Sequence, residues 1–414
     1  MRNSVLKIKQ LESTVLFFSL LLSTSLCSQT ISETAQNQSI AKYELLNPPR
    51  LGVTRAGQPI HLGGFSGLRF VGKKNGKLIF VTHTDRGPNP HAYYKKGILM
   101  RPFMLPEFNP RLIFLEVDPP TKTLKIIKQI PLKSDNGQLL TGLPSMRTRE
   151  HPVNLYGKKL PFDKKGMDLE SIDMAADGGY WMGDEYGPSL MYFSSQGKLL
   201  ALFTPAAGLP KMITQIKPNF GFEGIALHKD KLFAILQGPL NKKNNNKQSK
   251  MIRIIEFDTK KRRTVGQYLY ILEEPSASIG DMAALGSNRF LVIEQNGRKG
   301  QSVLKKIFLI DLANATNIQA NKQPPSLNAE NLESIQLQQA GVRTVSKKEV
   351  LNLAALGIKN KKIEGIALVN QKHIALITDN DFELNGELNQ KTGKAKFKKE
   401  NTILFLIPLD IAKL

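Results

Sequence analysis

In the stretch GGYWMGDEYG, residues 178–187, two carboxylates stand side by side at the end of an apolar run, Asp184 and Glu185. Adjacent carboxylates disfavour each other's charge unless a cation shares them. The pair is therefore either a solvated turn or part of a cation site. It belongs to a series. FSGLRF (65–70), LESIDM (169–174), FEGIAL (222–227), GDMAAL (280–285) and IEGIAL (363–368) each lead through a polar turn into a second apolar run. Those second runs are KLIFVTHTD, GGYWMGDE, KLFAILQG, RFLVIEQN and HIALITDN. The first runs contribute Ser66, Glu170, Glu223, Asp281 and Glu364. The second runs end on Asp85, on Asp184 with Glu185, on Gln237, on Glu294, and on Asp379 with Asp381.

If repeated elements bring these ends together, the acids form a ring that is repulsive without a cation. Oxygen ligands alone select a hard ion, Ca²⁺ first, with Mg²⁺ or Mn²⁺ as alternatives. The expected ligands are Asp85, Glu170, Asp184, Glu223, Glu294, Glu364, Asp379 and Asp381. Taken singly, each acid reads as a turn or strand cap; the repetition is what points to a site. Basic groups flank the series: Arg86 after Asp85, Arg298 after Glu294, His83, His91 and Arg101 in one insertion, Arg147, Arg149 and His151 in another. Arginine forks suit phosphate or carboxylate oxygens. Each histidine alone reads as structural or surface, and Trp181 as core. The expected catalytic set is Asp184, Glu185, Glu223 and Arg86; the expected substrate contacts are Arg86, His83, Arg101 and Tyr186.

The elements that must position these residues are strands. The runs hold four to six largely β-branched or aromatic residues between Gly, Asn or Asp. The repeat starts are separated by 104, 53, 58 and 83 residues. Two of these intervals match one propeller blade, and the first admits either two blades or one with a large insertion. RLIFLEVDP (111–119), MIRIIEFDT (251–259), KIFLIDL (306–312) and TILFLIPL (402–409) supply outer strands. An all-β propeller is expected, six-bladed, with five or seven as alternatives; a two-sheet sandwich or two smaller β domains is the runner-up. A short helix is expected near SKKEVLNLAAL, residues 346–356.

The 414-residue chain opens with Arg2, Lys7 and Lys9 ahead of the short apolar run STVLFFSLLLSTSL. This reads as an export signal over 1–27, followed by a flexible segment over 28–44 and one domain over 45–414. The run is too short for a membrane span, so a periplasmic or extracellular location follows, with a lipoprotein anchored at Cys27 as the alternative. Cys27 is the single cysteine, so neither disulfides nor a thiolate nucleophile is expected in the mature chain. The formal net charge of +23 favours anionic partners. Lysine runs such as KKRR (260–263) read as solvated loops, without the interleaved aromatics of a nucleic-acid groove. The expected partner is an anionic small molecule, with phosphorylated compounds among the candidates, bound by a monomer. No nucleophile-elbow, zinc-protease, P-loop or dinucleotide fingerprint occurs.

DLESIDMAADGGYWMGDEYGPSLMYFSSQGKLL, NFGFEGIALHKDKLFAILQGPL, IGDMAALGSNRFLVIEQNGR and KIEGIALVNQKHIALITDNDF, in this order, resemble the phytase-like family, described by esterase-like activity of phytase; FSGLRF with DRGPN resembles its opening motif. The resemblance runs from about residue 45 to the C-terminus. It implies a secreted or periplasmic β-propeller whose repeated acids hydrolyse phosphoesters, here Asp85, Glu170, Asp184, Glu185, Glu223, Glu294, Glu364, Asp379 and Asp381. Gln295 and Asn296 depart from that pattern. The leading expectation is thus a Ca²⁺-dependent phosphoester hydrolase. The alternatives are a propeller that binds an anionic glycan or protein with structural Ca²⁺, and a lactonase or carboxylesterase. Of the opening pair, Asp184 is expected to face the cation and Glu185 to cap the turn, because neighbouring strand residues point to opposite faces.

Overall fold

The computed structural model describes residues 39–146, 148, 150–240, 249–286, 288–298, 300–319, 334–360 and 362–414. The expected export signal over 1–27 lies outside the described residues, as do Arg147 and Arg149. Each of the five repeat segments begins an antiparallel sheet that meanders outward. Sheet I comprises Phe65–Lys74, Lys77–Thr84, Arg111–Asp118 and Thr123–Pro131. Sheet II comprises Leu169–Met174, Tyr180–Asp184, Ser189–Phe193 and Leu199–Pro205, with Gly208–Leu209 at its edge. Sheet III comprises Phe222–His228, Lys231–Leu236, Met251–Asp258 and Arg263–Ile271, and sheet IV Ser278–Ala284, Arg289–Gln295, Lys305–Asp311 and Ser346–Asn352. Sheet V comprises Ile363–Asn370, His373–Thr378 and Ile403–Pro408, and Ala41–Glu44 adds at its outer edge.

The second strands are continuous apolar runs because they are flanked by strands on both sides and covered on both faces. In Lys231–Leu236 all but the first residue is buried. The apolar cores lie between successive sheets. Leu169, Met182 and Phe193 of sheet II meet Val81 and Leu112 of sheet I. Phe222 and Phe257 of sheet III meet Trp181 and Phe203, and Phe233 and Ile254 meet Met282 and Phe290 of sheet IV. The first strands of the sheets contact one another in the order I–II–III–IV–V, and that of sheet V also contacts that of sheet I. Glycine permits this closeness: a Cβ on Gly224 would lie 2.8 Å from the Met282 nitrogen, and one on Gly365 2.8 Å from the Gly67 carbonyl carbon. The fold is all-β and propeller-like.

The structure differs from the leading expectations at three places. First, five meandering sheets, the alternative to six, are present among the described residues, and the 104-residue interval holds one of them with insertions. Those insertions form a small sheet of Tyr93–Lys95, Ile98–Pro102 and Glu150–Val153, accompanied by hairpins at Arg50–His61 and Leu384–Phe397. They share a separate core of Ile60, Met104, Phe108, Leu155, Phe382 and Leu384. Second, SKKEVLN is a strand, since pairing with Lys305–Asp311 overrides local propensity; Lys347 reaches Glu294 at 2.6 Å and Lys306 reaches Glu349 at 2.7 Å. Third, Ala41–Glu44 is not part of a flexible segment but a strand.

One side chain touches every sheet. Arg69, only 7% exposed, donates to the carbonyls of Leu68 (2.6 Å), Ile366 (3.0 Å) and Met282 (2.8 Å) and to that of Ile225. It also pairs with Asp281 at 3.2 Å and with Asp173 at 3.2 Å. Those partners belong to sheets I, V, IV, III, IV and II in turn. Arg69→Met leaves Asp281, which has no solvent exposure, as a buried charge without its cation, a loss of about 3–5 kcal/mol. Urea unfolding followed by the fluorescence of the single tryptophan, Trp181, checks this. Arg69→Lys is expected to recover only part of the loss, because one ammonium cannot reproduce the guanidinium fork.

Candidate functional site

The site is built from two residue columns that recur in the sheets. The first begins at a register break. Pairing of the first two strands skips a residue between Leu169 and Ser171, Phe222 and Gly224, Ile279 and Asp281, and Ile363 and Gly365. The residues skipped are Glu170, Glu223, Gly280 and Glu364. A bulge of this kind re-aims a side chain out of the ladder, and here it turns three glutamates into a common cavity. The second column directly follows the second-strand residues paired with Phe65, Leu169, Phe222, Ile279 and Ile363, and holds Asp85, Glu185, Gln237, Gln295 and Asp379.

The cavity has a volume of about 940 Å³. Asp85, Glu170, Glu185, Glu223 and Glu364 line it, together with the basic residues Arg86, Arg101, Lys362 and Lys398 and with His91. Oxygens of Glu170, Glu223 and Glu364 lie within 4.8 Å of one another, and so do those of Asp168, Glu170 and Glu185. Glu170 is common to both groups. Its carboxylate accepts from Ser66 Oγ at 2.5 Å, and Glu223 accepts from Gln237 Nε2 at 2.9 Å. These acidic groups could bind a metal ion: the donors are all oxygen, they are ionisable, and those of Glu170, Glu223 and Glu364 converge.

Burial pushes the pKa of Asp85, Glu170, Glu185 and Glu223 well above the usual carboxylate range, and neighbouring carboxylates add to the effect. Burial also raises Glu364, to about 7, although Lys362 opposes it. The acids of sheet V differ. Lys362 Nζ lies 3.0 Å from Asp379 and 2.8 Å from Asp381, and Lys398 lies 3.2 Å from Asp381. Burial holds Asp379 at about 6, whereas the two lysines outweigh burial at Asp381 and lower it. Arg86 pairs with Asp168 at 2.8 Å over the Tyr186 ring, and Glu150 holds Arg101 by two bonds of 2.6 and 3.1 Å.

The structure thus brings together Asp85, Arg86, Arg101, Glu170, Glu185, Glu223, Glu364 and Asp381. It leaves other expected residues outside. Asp184 and Glu185 do point different ways, but in the reverse sense: Asp184 accepts from the Asp168 and Tyr186 amides and from Ser189 Oγ, closing its own turn, and Glu185 faces the cavity. Glu294 turns away to Tyr270 (2.7 Å), the Glu273 amide (2.6 Å) and Lys347 (2.6 Å), and Gln295 takes the cavity position. His83 is fully buried with Nδ1 3.1 Å from the Thr84 carbonyl, and burial lowers its pKa to about 4. Tyr186 spends its hydroxyl on the Gly142 carbonyl at 2.7 Å. Arg298 is exposed at Ser276, and His151 packs on Phe162. Asp168 and Lys362 were missed. They occupy the same repeat position, directly before the first paired residue, and aligning DLES with KIEG one residue earlier exposes that column.

Unfolded, these carboxyls ionise near pH 4. Folded, they keep their protons longer, so between about 4 and about 7, the value of Glu364, the native state binds more protons than the unfolded chain. Its stability therefore falls as pH rises through that window. The lowered Asp381 acts at lower pH, outside it. With chelator present, the urea midpoint is expected to be lower at about pH 7.5 than at about pH 5, and Ca²⁺ is expected to restore it mainly at the higher pH. Equal Ca²⁺ effects at both would contradict this.

Comparison with known proteins places this geometry in context. An uncharacterized secreted protein of Arthroderma benhamiae is 22% identical over 242 residues, which is 44% of this chain and 47% of the relative. The chain thus spans about half the length of that curated relative. A luciferin-regenerating enzyme structure covers 90% of this chain and 96% of its own, at 9% identity and a TM-score of 0.38. An α-L-arabinofuranosidase of Clostridium thermocellum covers 76% and 81%, at 10% identity and a TM-score of 0.38. The family described as "Phytase-like: Esterase-like activity of phytase" matches residues 60–382, and with that span matched the chain belongs to the phytase-like family.

Proposed function

We propose that this chain is an exported, Ca²⁺-dependent hydrolase of phosphoesters, a monomer whose five sheets are the blades of a closed propeller with the reaction at one mouth of its channel. The observation that carries the reading is the pair of carboxylate groups sharing Glu170, of which Glu170, Glu185, Glu223 and Glu364 line a cavity of about 940 Å³. Such a group destabilises the fold unless a cation or protons compensate it. The sheets have Arg69 to bind them, so a cation here is not needed to join them, which favours a catalytic over a purely structural ion.

Glu170, Glu223 and Glu364 would hold the cation, and Asp168 and Glu185 form a second carboxylate group with Glu170. When bound, the ion supplies charge neutralisation at the ester oxygens and acidifies a water. Arg86 and Arg101, fixed by Asp168 and Glu150, would receive the anionic group in fixed orientation. Glu185 would take the proton of the attacking water as its oxygen bonds to phosphorus. The ester P–O bond breaks, and the proton passes to the departing alkoxide. Asp379 and Asp381, already neutralised by Lys362, would shape the cavity rather than ligate.

The test is hydrolysis of p-nitrophenyl phosphate, its bis ester and phytate with Ca²⁺ or chelator. Turnover with Ca²⁺ that chelator abolishes is expected; no turnover on any of them overturns the reading, and cleavage of p-nitrophenyl acetate or a lactone alone transfers it to a carboxylic ester. Glu185→Gln and Glu223→Gln are each expected to lower kcat/KM by about 10²-fold or more, the usual scale for a lost acid–base group. Glu294→Gln is expected to lower the melting temperature while leaving kcat/KM within about twofold, since surface-distant structural changes act on stability.

A further inference from the structure

Two of the five equivalent positions at the ends of the second strands hold an amide where the others hold an acid: Gln237 in sheet III and Gln295 in sheet IV, against Asp85, Glu185 and Asp379. Both glutamines line the cavity. Each aims its amide at a carboxylate of the cluster. Gln237 Nε2 donates to Glu223 at 2.9 Å, and Gln295 Nε2 donates to Glu364 at 3.2 Å.

Gln295 is the more constrained. Only 5% exposed, it crosses from sheet IV to sheet V and binds both sides of the Ile363 backbone. Its Oε1 accepts from the Ile363 N–H at 3.1 Å, and its Nε2 donates to the Ile363 carbonyl at 3.2 Å. Those two bonds fix which end of the amide is oxygen and which is nitrogen, and so fix the donor toward Glu364. Sheet IV carries Gly280 where sheets II, III and V carry a glutamate. A Cβ there would lie 2.4 Å from the Ile363 carbonyl oxygen. The sheet that contributes no glutamate therefore brings its backbone close enough for Gln295 to reach the glutamate of the next sheet.

An amide donor ties down one carboxylate oxygen and leaves the other for the cavity; a carboxylate in its place would repel. Groups that hold a ligand in this way typically contribute 10–100-fold to metal affinity. We propose that Gln295, and Gln237 in parallel, are positioning residues that orient Glu364 and Glu223 for cation binding. This rests on the reading of the cluster as a Ca²⁺ site.

Calorimetric titration of the full chain with Ca²⁺ alone tests the proposal without any substrate. Gln295→Met is expected to weaken Ca²⁺ binding about tenfold, and the double variant Gln295→Met/Glu364→Gln to bind no more weakly than Glu364→Gln alone. That non-additivity marks an action through Glu364, and a merely structural role would not produce it. Should Gln295→Met fail to fold in chelator, the same cycle with Gln237→Met and Glu223→Gln gives the decision, since Gln237 makes no side-chain bond to the backbone of another sheet among the described contacts. Wild type that binds Ca²⁺ while the glutamine variants bind within twofold of it, or effects that simply multiply, overturns this proposal alone. Wild type that binds no Ca²⁺ overturns the cation reading with it.

Discussion

A guanidinium at the centre of a β structure needs many acceptors, and Arg69 finds them on all five sheets. Its two carboxylate partners, Asp173 and Asp281, are as costly to bury alone as it is. The three therefore stand or fall together, and their planar, forked geometry fixes how far the first strands can slide along one another. Asp173 also accepts from the Leu227 amide at 2.6 Å, so the same network sets the register between sheets II and III. The bulged residues Glu170, Glu223 and Glu364 lie three residues before carbonyls or carboxylates of this network or nearer. Their convergence is a consequence of the register that Arg69 holds.

The site above that network is arranged to be unfavourable by itself. Sheet V shows the alternative solution in the same molecule: Lys362 stands between Asp379 and Asp381 as a resident cation. At Glu170, Glu223 and Glu364 carboxylates converge on one another instead, and their pKa values are raised. Uncompensated carboxylates beside preformed arginine–carboxylate pairs give one cavity two kinds of wall. One suits a cation, and the other suits an anion. The segment Asp381–Phe382–Glu383, with φ values of 50, 53 and 62°, carries left-handed backbone in three non-glycine residues. Phe382 packed in the insertion core and Asp381 held by two lysines keep it there, an example of strain located at a candidate functional site.

The repeat was legible because burial on both faces demands apolar runs of strand length, and turns demand Gly, Asn or Asp. Strand positions, outer strands and the two columns of polar residues followed from that pattern alone. The pattern also placed Asp85, Glu170, Glu223 and Glu364 where they are found. It failed wherever a decision turned on one residue. A strand has a side-chain period of two, so an error of a single position in where a strand ends exchanges the inward and outward residues. That is why Glu185, not Asp184, and Gln295, not Glu294, reach the cavity.

What the sequence by itself determined was therefore the set: an all-β chain with recurrent acids at strand ends and arginines beside them. The tertiary structure decided membership and charge state. Register breaks, which no periodicity announces, turned three glutamates inward. Lys362, Asp168 and Glu150 meet their partners from distant parts of the chain, and only their meeting separates acids neutralised within the protein from acids left for a cation. Sequence spacing specifies which way a strand runs its side chains. Which carboxylate finds a counter-charge depends on distances of a few ångströms between residues far apart in the chain, and packing alone sets those.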